Sequence, residues 1–217
     1  MKNTMERVLV VGANGTTGKQ IVDILDRYRN YRPVAMVRRK EQEKQFTDRN
    51  IETRLADLEK NVSHTVTEID KIVFAAGSGG DTSEEKTVAV DQNGAMKLID
   101  LASIAGIKKF VMLSAMGADN PEQNEELQHY LEAKKNADNH LRNSDMAYTI
   151  IRPGMLTDDE RTGSIKLSKN LNEKGKITRA DTAETLVAAL HDDTLPNQTV
   201  EILNGDTDIE EAVKSVD

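Results

Sequence analysis

The 217-residue sequence contains no cysteine, which excludes disulfides, thiolate metal sites and cysteine nucleophiles and leaves no sign of an oxidising compartment. Long apolar runs are missing too. No segment approaches the roughly 20 apolar residues of a membrane span, and Met1 to Glu6 carry no apolar signal core before the first strand pattern. A soluble, cytoplasmic protein with no membrane partner is expected. Basic excess is also absent: acidic residues outnumber basic ones 37 to 29, for a formal net charge of −8. The basic residues are dispersed, so no nucleic-acid partner is expected. His64, His129, His140 and His191 lack metal-ligand spacing, and no metal site is expected. No internal repeat or low-complexity segment interrupts the chain, and its length suits a single domain over 1–217 with a sizeable core.

What the chain does have is an alternation of short apolar, β-rich runs with longer helical patterns. Strand patterns fall at 7–11, 33–37, 52–55, 71–75, 109–113, 147–151 and 199–203, and helical patterns at 17–28, 41–46, 83–105, 122–143 and 180–191. Strands separated by helices imply an α/β doubly wound parallel sheet of about seven strands with helices on both faces. Such sheets bind ligands beyond the carboxyl ends of their strands.

The first strand pattern ends abruptly. Arg7-Val8-Leu9-Val10-Val11-Gly12-Ala13-Asn14-Gly15-Thr16-Thr17-Gly18 is an apolar run broken by three glycines, after which Ile21, Val22, Ile24 and Leu25 return at helical spacing. Glycine tolerates positive φ and close backbone approach, so such a loop brings its N–H groups to a diphosphate at the positive end of a helix. Gly12, Asn14, Gly15, Thr16, Thr17 and Gly18 are therefore read as a nucleotide phosphate cradle. The spacing differs from the G-x-G-x-x-G fingerprint, and no Walker lysine followed by Ser or Thr is in place, which argues against a P-loop. A plain glycine-rich strand-to-helix turn is the rival reading.

About twenty residues on, an Asp or Glu suits a ribose 2′-hydroxyl and an arginine suits a 2′-phosphate. Here the chain reads Arg38-Arg39-Lys40, favouring NADP over NAD, with Arg38 the better-placed guanidinium and Arg39 the alternate. A solvated basic helix start competes. After the third strand, Asp57 is placed to accept from an adenine amino group and Leu58 to cover the ring, although Asp57 also reads as a helix cap or turn residue. Ala75-Ala76-Gly77, continuing to Ser78, Gly79 and Gly80, leaves room for a ribose against backbone. The stretch 78–80 reads equally as a flexible loop.

Ser114 ends the fifth strand pattern, and Tyr130 and Lys134, four apart, share one face of the following helix. A phenol ordinarily titrates near about 10 and needs a neighbouring cation to serve as an acid or base at neutral pH. Lys134 is where that cation is needed, and the same ammonium suits a nicotinamide ribose. Ser114 is read as a hydrogen-bond partner of a substrate carbonyl oxygen beside Tyr130, which requires 115–121 to fold back. Alone, a Tyr-x-x-x-Lys pair also describes an amphipathic surface.

Taken in order, Gly12-x-x-Gly15-x-x-Gly18, Arg38-Arg39, Asp57-Leu58, Ala75-Ala76-Gly77, Ser114, Tyr130-x-x-x-Lys134 and Arg152-Pro153-Gly154 resemble the short-chain dehydrogenases/reductases. The likeness is to their small atypical bacterial branch, the NAD(P)-binding or NAD-dependent epimerase/dehydratase-like proteins related to the NmrA-like group. It runs on through Ile177 to Ala183 and Leu203 to Thr207. The resemblance implies a Rossmann-like fold, a Ser114, Tyr130 and Lys134 triad with Tyr130 exchanging the proton during hydride transfer, and a nicotinamide near Pro153 and Gly154. Asp91 stands where related enzymes often carry a helix asparagine. The implied function is that of an NADP(H)-dependent oxidoreductase or epimerase-like enzyme acting on a small carbonyl or hydroxyl compound. A non-catalytic NADP(H) sensor of NmrA-like type and a flavin or quinone reductase are the competing classes. Residues 155–179 are expected as a substrate-side lid or hairpin, with Lys166 and Lys169 attracting an anionic substrate or facing solvent. Asp181 is expected to cap the next helix, His129 to be a surface residue, and the protein to be a monomer or homodimer.

Overall fold

The computed structural model describes residues 5–79 and 82–215; Met1 to Thr4 of the amino-terminal expectation and Gly80 of the loop after the fourth strand lie outside the described residues. Strand β1 (Glu6–Val11) leads through α1 (Thr16–Leu25) to β2 (Tyr31–Val37), and α2 (Lys44–Thr47) leads to β3 (Glu52–Leu55) and β4 (Lys71–Phe74). Then come α3 (Glu84–Thr87), a π-helical turn over Val88–Gly94, α4 (Ala95–Ala105), β5 (Lys109–Leu113), α5 (Gln128–Arg142) and β6 (Tyr148–Pro153). The last third holds β7 (Met155–Thr157), β8 (Ser164–Ser168), β9 (Lys176–Thr178), α6 (Arg179–Ala188), β10 (Gln198–Asn204), β11 (Thr207–Asp208) and α7 (Ile209–Ala212).

Among the described residues nine strands share one sheet in the order β11-β8-β10-β6-β5-β4-β1-β2-β3. The seven from β10 to β3 are parallel to their neighbours and are the seven read from sequence. The run β3-β2-β1-β4-β5-β6 is the doubly wound, Rossmann-like order, whose crevice opens where the winding reverses beside β1. The sheet exceeds the expected size because β8 adds antiparallel to β10 and β11 antiparallel to β8. Only Ile165 of β8 is buried, so this margin strand lacks the apolar run that betrays the inner strands. Residues 155–179 do not form a self-contained hairpin. Strand β7 pairs with β9 in parallel, a pairing that requires the intervening chain to cross over, and β8 within that crossover joins the main sheet.

Apolar patterning follows from burial on both faces. Val8 and Val10 of β1 pack with Ile21, Val22 and Leu25 of α1 and Ala183, Leu186 and Val187 of α6. Leu9 and Val11 point the other way, onto Leu98, Ile99 and Ala102 of α4 and Ala137 and Leu141 of α5. Two helical boundaries differ from expectation. The stretch 83–105 is not one α-helix, because the π-helical turn at Val88–Gly94 interrupts it. Helix α5 begins at Gln128 rather than 122, because Pro121 heads a separate 3-10 turn and Asn124 leaves the helical region at φ −138° and ψ 88°.

Candidate active site

The site begins at the β1–α1 corner. Gly12 has φ +83°, and a Cβ there would stand 2.6 Å from the Ala76 Cα. A Cβ on Gly18 would meet the Gly12 carbonyl oxygen at 2.1 Å. Glycine is thus required at both positions by the close packing of β1, β4 and α1. The Gly15 N–H donates to the Gly12 carbonyl at 2.9 Å, closing the turn. Gly15 caps α1 with no side-chain acceptor, and no acidic residue lies in the first turn. The first amides of α1 therefore remain available to an anion.

A cavity of ≈ 650 Å³ opens at this corner. Gly12, Asn14, Gly15, Thr16 and Thr17 line one end, together with Arg38, Asp57, Leu58, Ala75, Ala76 and Gly77. Among the described residues no carboxylate is ion-paired with the exposed Arg38, while Gln42 takes the backbone N–H groups of Arg38 and Arg39 at 3.1 and 3.0 Å. Arg39 itself does not line the cavity, nor does Gly18, whose smallness serves the packing of α1.

Ser114, Tyr130 and Lys134 line the same cavity. The loop between Ser114 and α5 does fold back: the Arg152 guanidinium grips the Asp119 carboxylate with two N–H groups, and Lys135 donates to the Asp119 carbonyl at 2.9 Å. Lys134 is buried, its Nζ 3.0 Å from Asp91 Oδ1 and 5.5 Å from the centre of the Tyr130 ring. Burial pulls the Lys134 ammonium down, but Tyr130, Asp91 and Asp138 together hold it above the ordinary lysine value. The Asp91 carboxylate sits on the π-helical turn and also accepts from the Ser78 backbone N–H at 2.8 Å. It is thus the counter-ion of Lys134, a role the sequence reading did not assign.

Ser114 is held from behind. Its backbone N–H donates to the Ile151 carbonyl at 2.8 Å, and its Oγ donates to Asp138 Oδ2 at 2.8 Å. Asp138, one helical turn beyond Lys134, was not singled out from sequence. The spacing Tyr130, Lys134, Asp138 puts all three on one face of α5, and that was the available signal.

Several sequence expectations are corrected. Pro153 and Gly154 do not line the cavity; a Cβ on Gly154 would strike Leu203 at 2.4 Å and the Gly175 carbonyl at 2.5 Å, so this glycine allows the end of β6 to pack against its neighbours. Lys166 and Lys169 are exposed and lie outside it, which is the solvent-facing alternative, and Lys166 pairs with Glu173 at 2.6 Å. His129 is a surface residue as expected and also lines the cavity, with Glu126, Leu127, Leu156 and Arg179. Thr178, not Asp181, caps α6; Asp181 accepts instead from the backbone N–H groups of Thr162 and Gly163, tying that turn to the helix.

A family model described as NAD(P)H-binding matches residues 12–193, the span from the glycine corner to just before β10. The chain belongs to this NAD(P)H-binding family. A Bacillus subtilis relative, named as an uncharacterized sugar epimerase, YhfK, is 41% identical over 214 residues, covering 97% of this chain and 100% of that one. A candidate NAD-dependent epimerase/dehydratase from Bacillus halodurans superposes with a TM-score of 0.93 at 40% identity, covering 96% and 99% of the two chains. The oxidoreductase YlbE from Lactococcus lactis gives a TM-score of 0.86 at 31% identity, covering 96% and 95%. The protein is thus an oxidoreductase- or epimerase-like member of the NAD(P)H-binding family, with the Rossmann-like sheet of that family. Among the described residues no helix is long and apolar enough to cross a membrane.

Proposed function

We propose that the protein is a cytoplasmic NADP(H)-dependent oxidoreductase, monomeric or homodimeric, that reduces a carbonyl group on a small molecule. The observation that carries this reading is the gathering of an uncapped α1 amino terminus, an ion-free Arg38 and a Tyr130–Lys134–Asp91 cluster around one cavity. The residues present fit the dinucleotide. A Cβ at Gly12 would press on the Ala76 backbone, so glycine keeps the corner that borders the cavity closed up, and the cavity volume of ≈ 650 Å³ lies within the usual range for cofactor sites. The amides of Thr16 and Thr17 would hold the diphosphate, Arg38 a 2′-phosphate, and Asp57 and Leu58 the adenine.

When bound, the reduced coenzyme supplies a hydride to the carbonyl carbon. Tyr130 gives its phenolic proton to the carbonyl oxygen, and the Lys134 ammonium offsets the charge the departing proton leaves behind. Asp91 anchors that ammonium, so Lys134 is presented to Tyr130 in one position. The test is NADPH oxidation against a panel of small carbonyl compounds, comparing the parent with Tyr130→Phe. The expected result is turnover in the parent and a loss of 10²-fold or more in the variant, with coenzyme affinity unchanged. Normal coenzyme binding with no turnover in either protein would turn the reading into that of a sensor, and turnover that survives the substitution would point to flavin or quinone reduction.

A further inference from the structure

Ser114 borders the cavity, yet its proton is already engaged elsewhere. An ionised carboxylate only accepts, so the 2.8 Å contact between Ser114 Oγ and Asp138 Oδ2 consumes the single hydroxyl hydrogen. The same Oδ2 receives Nε and Nη2 of Arg152 at 3.0 and 2.8 Å. Asp138 is 0% exposed and Arg152 2% exposed, and every donor converges on one oxygen while Oδ1 has no hydrogen-bond partner. Arg152 is steered in turn by Asp119 at the rim. The ion pair fixes the carboxylate, and the carboxylate fixes the serine.

We propose that Asp138 and Arg152 are positioning residues that set Ser114 as a hydrogen-bond acceptor toward the substrate. The substrate is then a carbonyl compound carrying a neighbouring donor, an α-hydroxyl above all, which seats on Ser114 while Tyr130 alone answers the reacting carbonyl oxygen. This deepens the carbonyl-reductase reading above and rests on it for its substrate half. A hydroxyl has one proton and two lone pairs. With the proton held in the wall, a bare carbonyl oxygen placed against Ser114 would meet lone pair with lone pair. A substrate hydroxyl instead completes a chain from substrate to Ser114 to Asp138, each link polarising the next. Sites built around such a bond reject analogues that lack the hydroxyl far more strongly than apolar pockets reject a missing methylene.

The test uses two ketones that differ by one hydroxyl, 3-hydroxybutan-2-one and butan-2-one, as substrates for NADPH oxidation. The parent is expected to favour the hydroxyketone by roughly tenfold or more in kcat/KM. Ser114→Ala should bring that ratio close to unity. Asp138→Leu, which leaves no acceptor behind Ser114 and so returns the hydroxyl proton to the cavity, should lower it below the parent's. An unchanged ratio in Asp138→Leu overturns the proposal.

Because Asp138→Leu strips a buried guanidinium of its partner, a second measurement uses the milder Ser114→Ala, with protein labelled by carboxyl-¹³C aspartate. Burial pushes the Asp138 carboxyl above the usual aspartate range, against the pull of Arg152 and Arg142 and the Ser114 hydroxyl; Lys134 and Asp119 are the other charged groups facing this cluster. Removing the serine donor should raise the Asp138 midpoint further, by about one pH unit. No movement overturns the proposal. If that midpoint moves but neither ketone is reduced, the reductase reading and the substrate half fall while the polarity of Ser114 stands.

Discussion

Replacing Asp91 by asparagine keeps the shape and the contact with the Ser78 amide but removes the negative charge facing Lys134. The pair is buried on both sides, with side-chain exposures of 5% and 0% and a 3.0 Å separation. Stripping one partner from such a pair leaves an unbalanced charge in a low-dielectric setting and typically costs 3–5 kcal/mol. The Leu113 carbonyl, 3.4 Å from Nζ, and the Tyr130 ring remain, so the low end, about 3 kcal/mol, is expected. For a chain of this size that lowers Tm by roughly 6–12 °C. Urea and thermal melts read it directly. Lys134 is held above its ordinary value in the fold, so the pair's contribution is complete below that ordinary value and is lost only as pH climbs through the folded one. The gap between parent and variant should therefore stay level from about pH 6 to about pH 9. Adding Lys134→Met should recover at least about 1 kcal/mol, because the orphaned ammonium is gone. A loss under about 1 kcal/mol for Asp91→Asn, or a double variant equal to the sum of the singles, would refute the assignment of Asp91 as the counter-ion.

Arg38→Ala should weaken NADP(H) binding by roughly 10- to 100-fold and NAD(H) binding less than about twofold, since charge-assisted bonds are worth about 1.5–3 kcal/mol; equal losses in calorimetric titrations would count against a 2′-phosphate contact. Gly12→Ala places a Cβ 2.6 Å from backbone at φ +83°, so a destabilisation above about 2 kcal/mol is expected in urea melts, and a variant as stable as the parent would contradict the packing described. Lys109, its Nζ donating to the His191 and Thr194 carbonyls at 2.7 and 2.6 Å, is pushed down to about 8, first by burial and then by Lys71. The unfolded chain holds that proton more tightly, so the cost of charging Lys109 in the fold is present below about 8 and fades as pH rises toward the unfolded lysine value. Urea midpoints at about pH 7.5 and about pH 9.5 should accordingly rise less steeply in Lys109→Met than in the parent, and identical slopes would rule the effect out.

The inner parallel strands were legible because they are covered on both sides, as Val8 to Val11 of β1 illustrate, and an unbroken apolar run is what such burial demands. The glycine corner was legible for a different reason: only glycine fits where β1, β4 and α1 touch. Strands β8 and β11 escaped notice because a margin strand hides little. The Lys134 anchor on the π-helical turn and the Ser114 clasp are long-range events, joining residues 43 and 24 positions apart. Local spacing carries no record of such meetings, except where Asp138 falls on the helix face already marked by Tyr130 and Lys134.

The margins of the sheet bear on whether one copy can add a strand to another. At one end β11 is two residues long and exposed; at the other, Glu52 of the four-residue β3 is clasped by Arg7 and Arg54, both at 2.8 Å. Short, charge-studded borders offer little to an incoming backbone ladder. Runaway stacking into fibrils is thereby discouraged.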